Sequence, residues 1–155
     1  MREYALVRGY RLAVPGGWYG LAGWELAALQ NGIGPDRWPE CYRWVLDAAT
    51  GFRAAADVHD VDYCLGRTRK DRLVADRRFF ANCLRVVLVD AGGWGGLLWR
   101  TSWRLAAVRL VLARGLYRAL RLGGRQAFVV STKLDVAVRG QQAMTVDDDL
   151  YEGEV

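Results

Sequence analysis

Between Phe52 and Asp90 the chain contains a single glycine, Gly66, and no proline. A stretch so poor in helix breakers is hard to fold as anything but helix, and Gly66 divides it in two. The first half, "FRAAADVHDVDYCL", is alanine-rich and predicts a helix over about 52–65. The second begins near Thr68 and places Asp71 in the first turn, where the helix dipole favours negative charge. It then runs through "RLVADRRFFANCLRVVLVD" to the "AGGWGG" break. Joined by so short a connection, the two helices are expected to pack antiparallel, the middle of one against the middle of the other.

The flanking sequence is more punctuated. Residues 1 to 30 mix apolar residues with "PGGWYG", and "GWELAALQ" predicts a short helix before a turn. The stretch "NGIGPDRWP" at 31–39 combines glycines, prolines and an Asn-Gly step, a composition that forces a loop. A short helix over about 39–47 is closed by Thr50 and Gly51. A third long helix is expected over roughly 97–121, ending at Gly123 and Gly124, with either a short strand or a packed extension at 128–130. The expected architecture is mainly α: one domain over residues 1–145 and a mobile acidic tail over 146–155.

At 155 residues the chain can bury a real core without disulfides or metals. Cys41, Cys64 and Cys83 are odd in number and match no close-spaced zinc or redox pattern, so reduced thiols are expected, with Cys64 and Cys83 buried. The apolar stretch behind Arg2, Arg8 and Arg11 is broken by "PGG", which argues against a cleavable signal peptide. No uncharged run approaches the ~20 residues of a membrane span. A soluble or peripheral protein is the expectation.

The chain has one histidine, His59. On a helix, Tyr63 lies one turn further on the same face, whereas Asp60 is turned by about 100° to an adjacent side. A histidine base needs a partner on its second ring nitrogen to fix its tautomer. Asp76, set among Val74, Ala75, Phe79 and Phe80, is a carboxylate that in turn needs a partner. Antiparallel packing brings His59 to Asp76, with the Tyr63 hydroxyl able to donate to the same carboxylate. Asp60 then faces elsewhere, and with carbonyls from the glycine loop it suits calcium, an oxygen-seeking cation, better than zinc. A base beside such an ion would let water attack a polarised carbonyl.

These residues resemble the phospholipase A2 superfamily. "HDVDY" matches its His-Asp-x-x-Tyr signature, "ADRRFF" is similar to its second-helix segment, and "NGIGP" resembles its calcium-binding loop, all in the family's order. The likeness covers about residues 30–85 and is nearest to the small phage-, prophage- or virus-type members, which lack dense disulfides. It implies a pair of antiparallel helices with a calcium-binding loop, to which this chain adds an amphipathic C-terminal helix. It implies His59 as general base, Asp76 as its partner, Tyr63 as a supporting hydrogen bonder, and Asp60 with the carbonyls of Gly32 and Gly34 as ligands of Ca2+. The reaction implied is hydrolysis of the sn-2 ester of a glycerophospholipid. Asp57 and Val58 stand where secreted members carry paired cysteines, and the glycine loop lies farther upstream of the histidine. Whether Asp36 joins the calcium ligands stays open.

The formal net charge of +5 is unevenly spread. Arg100, Arg104, Arg109, Arg114, Arg118, Arg121 and Arg125 share a stretch without acids, whereas Asp147, Asp148, Asp149, Glu152 and Glu154 crowd the tail. On a helical wheel all these arginines fall within roughly 60° of Arg100 except Arg109, which lies on the apolar side and should meet a buried acid. The block is read first as a solvated face and next as a surface for anionic lipid headgroups, helped by Trp94, Trp99 and Trp103. The expected partner is thus a phospholipid membrane surface, and nucleic acid is not expected. Two rival readings are a non-catalytic membrane-associated or phage structural protein that keeps the scaffold, and a nucleic-acid-binding module using the arginine helix.

Overall fold

The computed structural model describes residues 3–30, 46–92 and 103–123. Helices dominate these residues, joined by a small two-stranded sheet. The expected glycine loop at 31–39, most of the 39–47 helix, residues 97–102, the 128–130 segment and the 146–155 tail lie outside them, as do Cys41, Trp94 and Trp99.

The chain opens not with helix but with a β-hairpin, β1 (Glu3–Val7) and β2 (Tyr10–Val14), paired antiparallel with Val7 opposite Tyr10. Its two-residue turn, Arg8 and Gly9, has both φ values positive, at 47° and 85°. That conformation matches the right-handed twist of the strands. Alternation puts Ala5, Val7, Leu12 and Val14 on the core face and leaves Leu6 exposed. The expected short helix does follow, as α1 (Gly23–Leu29).

Helical residues 46–50, α2, end at Thr50, whose hydroxyl donates to the carbonyl of Leu46. Gly51 then turns the chain at φ 66°. A Cβ at this glycine would stand 2.7 Å from the Arg109 guanidinium, so both the backbone angle and the close approach demand glycine.

The two breaker-poor runs form α3 (Arg53–Leu65) and α4 (Arg69–Asp90), reversing across Gly66, Arg67 and Thr68. Thr68 caps α4. Its hydroxyl accepts from the Asp71 amide, and the Asp71 carboxylate accepts from the amides of Arg67 and Thr68. Such a reciprocal cap is worth about 1 kcal/mol. Tyr63 meets Asp76 and, one turn earlier in α3, His59 reaches Phe79, which fixes the antiparallel sense. Small side chains explain the intimacy of the packing: Ala54, Ala55 and Ala56 are all buried, beside Phe52, Val58 and Val61.

The hairpin lies against this pair. Ala13 is a non-hydrogen-bonded position of the ladder, so its N–H and C=O point away from β1. Asn82 of α4, itself fully buried, receives the first at 3.0 Å and donates to the second at 2.8 Å. The turn residue Arg8 ion-pairs with the buried Asp57 of α3.

The last described helix, α5, covers 103–123. Ala106, Arg109 and Ala113 form its buried stripe. Arg109 does meet an acid: it donates to Asp90 at 2.7 Å and to the Thr50 carbonyl at 2.8 Å, with its guanidinium over the Phe52 ring. Asp90 is exposed rather than the buried acid expected, and it also accepts from Tyr10. No helix among the described residues is long and apolar enough to cross a membrane.

Candidate functional site

The site is built where α3 crosses α4. Helical spacing stacks His59 and Tyr63 on one face of α3, their ring centroids 4.0 Å apart. Asp76 rises from the facing side of α4 and is fully buried; His59 and Tyr63 are nearly so. One carboxylate oxygen of Asp76, Oδ1, lies 3.2 Å from Nε2 of His59 and accepts from the Tyr63 hydroxyl at 2.6 Å. The other, Oδ2, accepts from Arg121 of α5 at 2.8 Å, with Nε of Arg72 at 3.8 Å.

Charge decides the tautomer. Burial alone would push the Asp76 carboxyl up, but hydrogen bonds from His59, Tyr63 and Arg121 outweigh it and hold the group below the usual carboxylate range. An ionised carboxylate only accepts, so the His59 hydrogen belongs on Nε2 and the basic lone pair on Nδ1. Burial first, and then the Asp76 charge, push the Tyr63 hydroxyl well above the ordinary phenol range, so it remains a donor. The arrangement is an imidazole oriented by a fixed anion, with the chemistry of a general base.

Asp62, three residues after His59, is a second buried carboxylate, ion-paired with Arg78 of α4. Here burial is the largest influence, and the Asp62 carboxyl rises despite Arg78. Cys64 and Cys83 are both buried, and burial pushes the Cys83 thiol up, as suits an inert core residue.

Asp60 is half-buried, on the side of α3 next to His59. Its carboxylate is a hard oxygen donor of the kind calcium takes. Among the described residues no group of three or more His, Cys, Asp or Glu side chains is gathered to hold a metal ion. Gly32 and Gly34, whose carbonyls are the expected donors, lie outside the described residues.

Thus the structure brings His59, Tyr63 and Asp76 into one hydrogen-bonded network, with Asp60 adjacent. Sequence reasoning missed Arg121 and Arg72. The wheel placed Arg121 among solvated arginines, because it gives a direction from the helix axis and not the reach of a long side chain. The spacing of Arg72 and Asp76, one turn apart on α4, was a signal that could have found the second cation.

Compared with protein-family models, with curated proteins and with solved structures, the chain finds no match in any of the three.

Proposed function

We propose that the chain is a calcium-dependent hydrolase of glycerophospholipid esters, acting at the sn-2 position in the manner of the phospholipase A2 superfamily. The observation that carries this reading is the contact of His59 Nε2 with the buried Asp76, 3.2 Å away, with Tyr63 on the same carboxylate oxygen.

In this reading His59 Nδ1 takes the proton of a water molecule as that water attacks the ester carbonyl. Asp76 stabilises the imidazolium that forms, and Tyr63 keeps the carboxylate in place. Asp60 and the carbonyls of Gly32 and Gly34 would hold the calcium, whose chemistry is to place positive charge against the ester and phosphate oxygens.

The lipid surface would meet α5. Trp103, Leu105, Val108 and Val111 are exposed there, at 56%, 60%, 55% and 71%, and Arg104, Arg114 and Arg118 are exposed beside them. Aromatic and aliphatic side chains flanked by arginines suit the boundary of an anionic bilayer.

The burial of His59 favours a second reading, in which the same network is a polar clamp between helices and the chain is a non-catalytic membrane-associated protein. One experiment separates them: release of fatty acid from phosphatidylglycerol vesicles, with calcium or with a chelator, by the full chain and by His59→Asn. The first reading expects calcium-dependent release that His59→Asn lowers at least a hundredfold. Absence of release by the unaltered chain with calcium present overturns it.

A further inference from the structure

The two oxygens of Asp76 have separate duties. Oδ1 serves His59 and Tyr63, at 3.2 and 2.6 Å, and Oδ2 serves Arg121 at 2.8 Å. The helix end that carries Arg121 is itself tied down. Arg72, one turn before Asp76 on α4, donates to the backbone carbonyls of Leu120 and Arg121, at 3.0 and 2.9 Å. The backbone of residue 121 is therefore tied to α4 by Arg72 while its side chain is tied to α4 by Asp76.

A carboxylate can rotate about its Cβ–Cγ bond, and rotation would carry Oδ1 away from the imidazole. With Arg121 in place, rotation breaks a charge-assisted hydrogen bond to a buried anion, the stronger kind of hydrogen bond. Without it, Oδ2 keeps only the 3.8 Å approach of Arg72, too long for a hydrogen bond.

We propose, resting on the hydrolytic reading, that Arg121 is a positioning residue. It locks the Asp76 carboxylate so that Oδ1 faces His59, which keeps the imidazole hydrogen on Nε2 and leaves Nδ1 as the base. The site then extends to α5, beyond the 30–85 segment that carries the family resemblance. Surface helix and catalytic pair share one ion pair.

His59 being the only histidine, 15N labelling at histidine gives one imidazole signal set, and its two nitrogen shifts report the tautomer directly. In the full chain at neutral pH these are expected to be well separated, as for a single Nε2–H form. In Arg121→Gln they should move toward one another as both tautomers become populated. In Arg121→Lys they should move less, because an ammonium keeps the charge but not the planar donor geometry. On vesicles kcat should fall about tenfold in Arg121→Gln and less in Arg121→Lys, with KM little changed. If Arg121→Gln fails to fold, Arg121→Lys decides alone. A folded variant that keeps the unaltered nitrogen shifts overturns the inference. An unaltered chain that releases no fatty acid overturns the hydrolytic reading instead, and the nitrogen shifts still decide whether Arg121 sets the tautomer.

Discussion

Asp76 and Asp62 are carboxylates buried at the seam of the same two helices, and their acidities move in opposite directions. Both are nearly closed to water, with side-chain exposure of 0% and 8%, and burial is the largest upward influence on each. What differs is the company each keeps. Asp76 accepts from three side chains on three residues, which together outweigh its desolvation. Asp62 has Arg78 as its ion-pair partner, and one of its oxygens, Oδ2, is buried without a hydrogen bond. The number of directed donors, more than the presence of a cation, decides whether a buried anion is comfortable.

The largest test of that contrast is Asp76→Asn. It leaves two arginines facing a neutral amide and is expected to cost roughly 3 kcal/mol in urea unfolding at neutral pH. A cost below about 1 kcal/mol would break the comparison.

Acid should separate the two carboxylates next. The Asp76 pKa is lower folded than unfolded, so its contribution is present above the ordinary aspartate value near ~3.9 and is lost as pH falls through the folded value. The Asp62 pKa is higher folded, so its contribution is present below ~3.9 and is lost as pH rises through the folded value. Unfolding followed across pH should therefore show Asp76→Asn flattening the loss of stability in acid. Asp62→Asn should remove a loss on the opposite limb, above pH ~4.

Tyr63→Phe withdraws one of the three donors and is expected to cost about 1 kcal/mol, with the acid limb moved to higher pH. Smallest of all is Asp62→Asn at neutral pH, expected to lie within about 0.5 kcal/mol of the unaltered chain or to stabilise it. Asp62 is not comfortable ionised, and the partly exposed Arg78 can turn to water. A loss of 2 kcal/mol there would mean that Asp62 is as well served as Asp76.

Much of this seam was legible in sequence because its signals are local. Gly66 ends α3, and Thr68 with Asp71 begins α4, so the register that sets His59 opposite Asp76 follows from two boundaries. The hairpin was not read. Its alternation is present in "EYALV" and "YRLAV", but its turn places Arg8 in a left-handed conformation where Asn, Asp or Gly is the usual signal. The partners of the buried acids were also hidden. Arg121 reaches Asp76 from 45 residues away and Arg8 reaches Asp57 from 49, distances at which no periodicity connects the two ends. Even Arg109, expected to find an acid, left its identity to the fold, which chose Asp90.

Asn82 carries a consequence of a different kind. Its carboxamide occupies the outward N–H and C=O of Ala13, the rung of β2 that another strand would use. Helix and hairpin thereby close that margin of the sheet against pairing with a second molecule. Replacing Asn82 with leucine would open the rung, and the expected harm is not to the site at all but to solubility, through strand-to-strand association between copies.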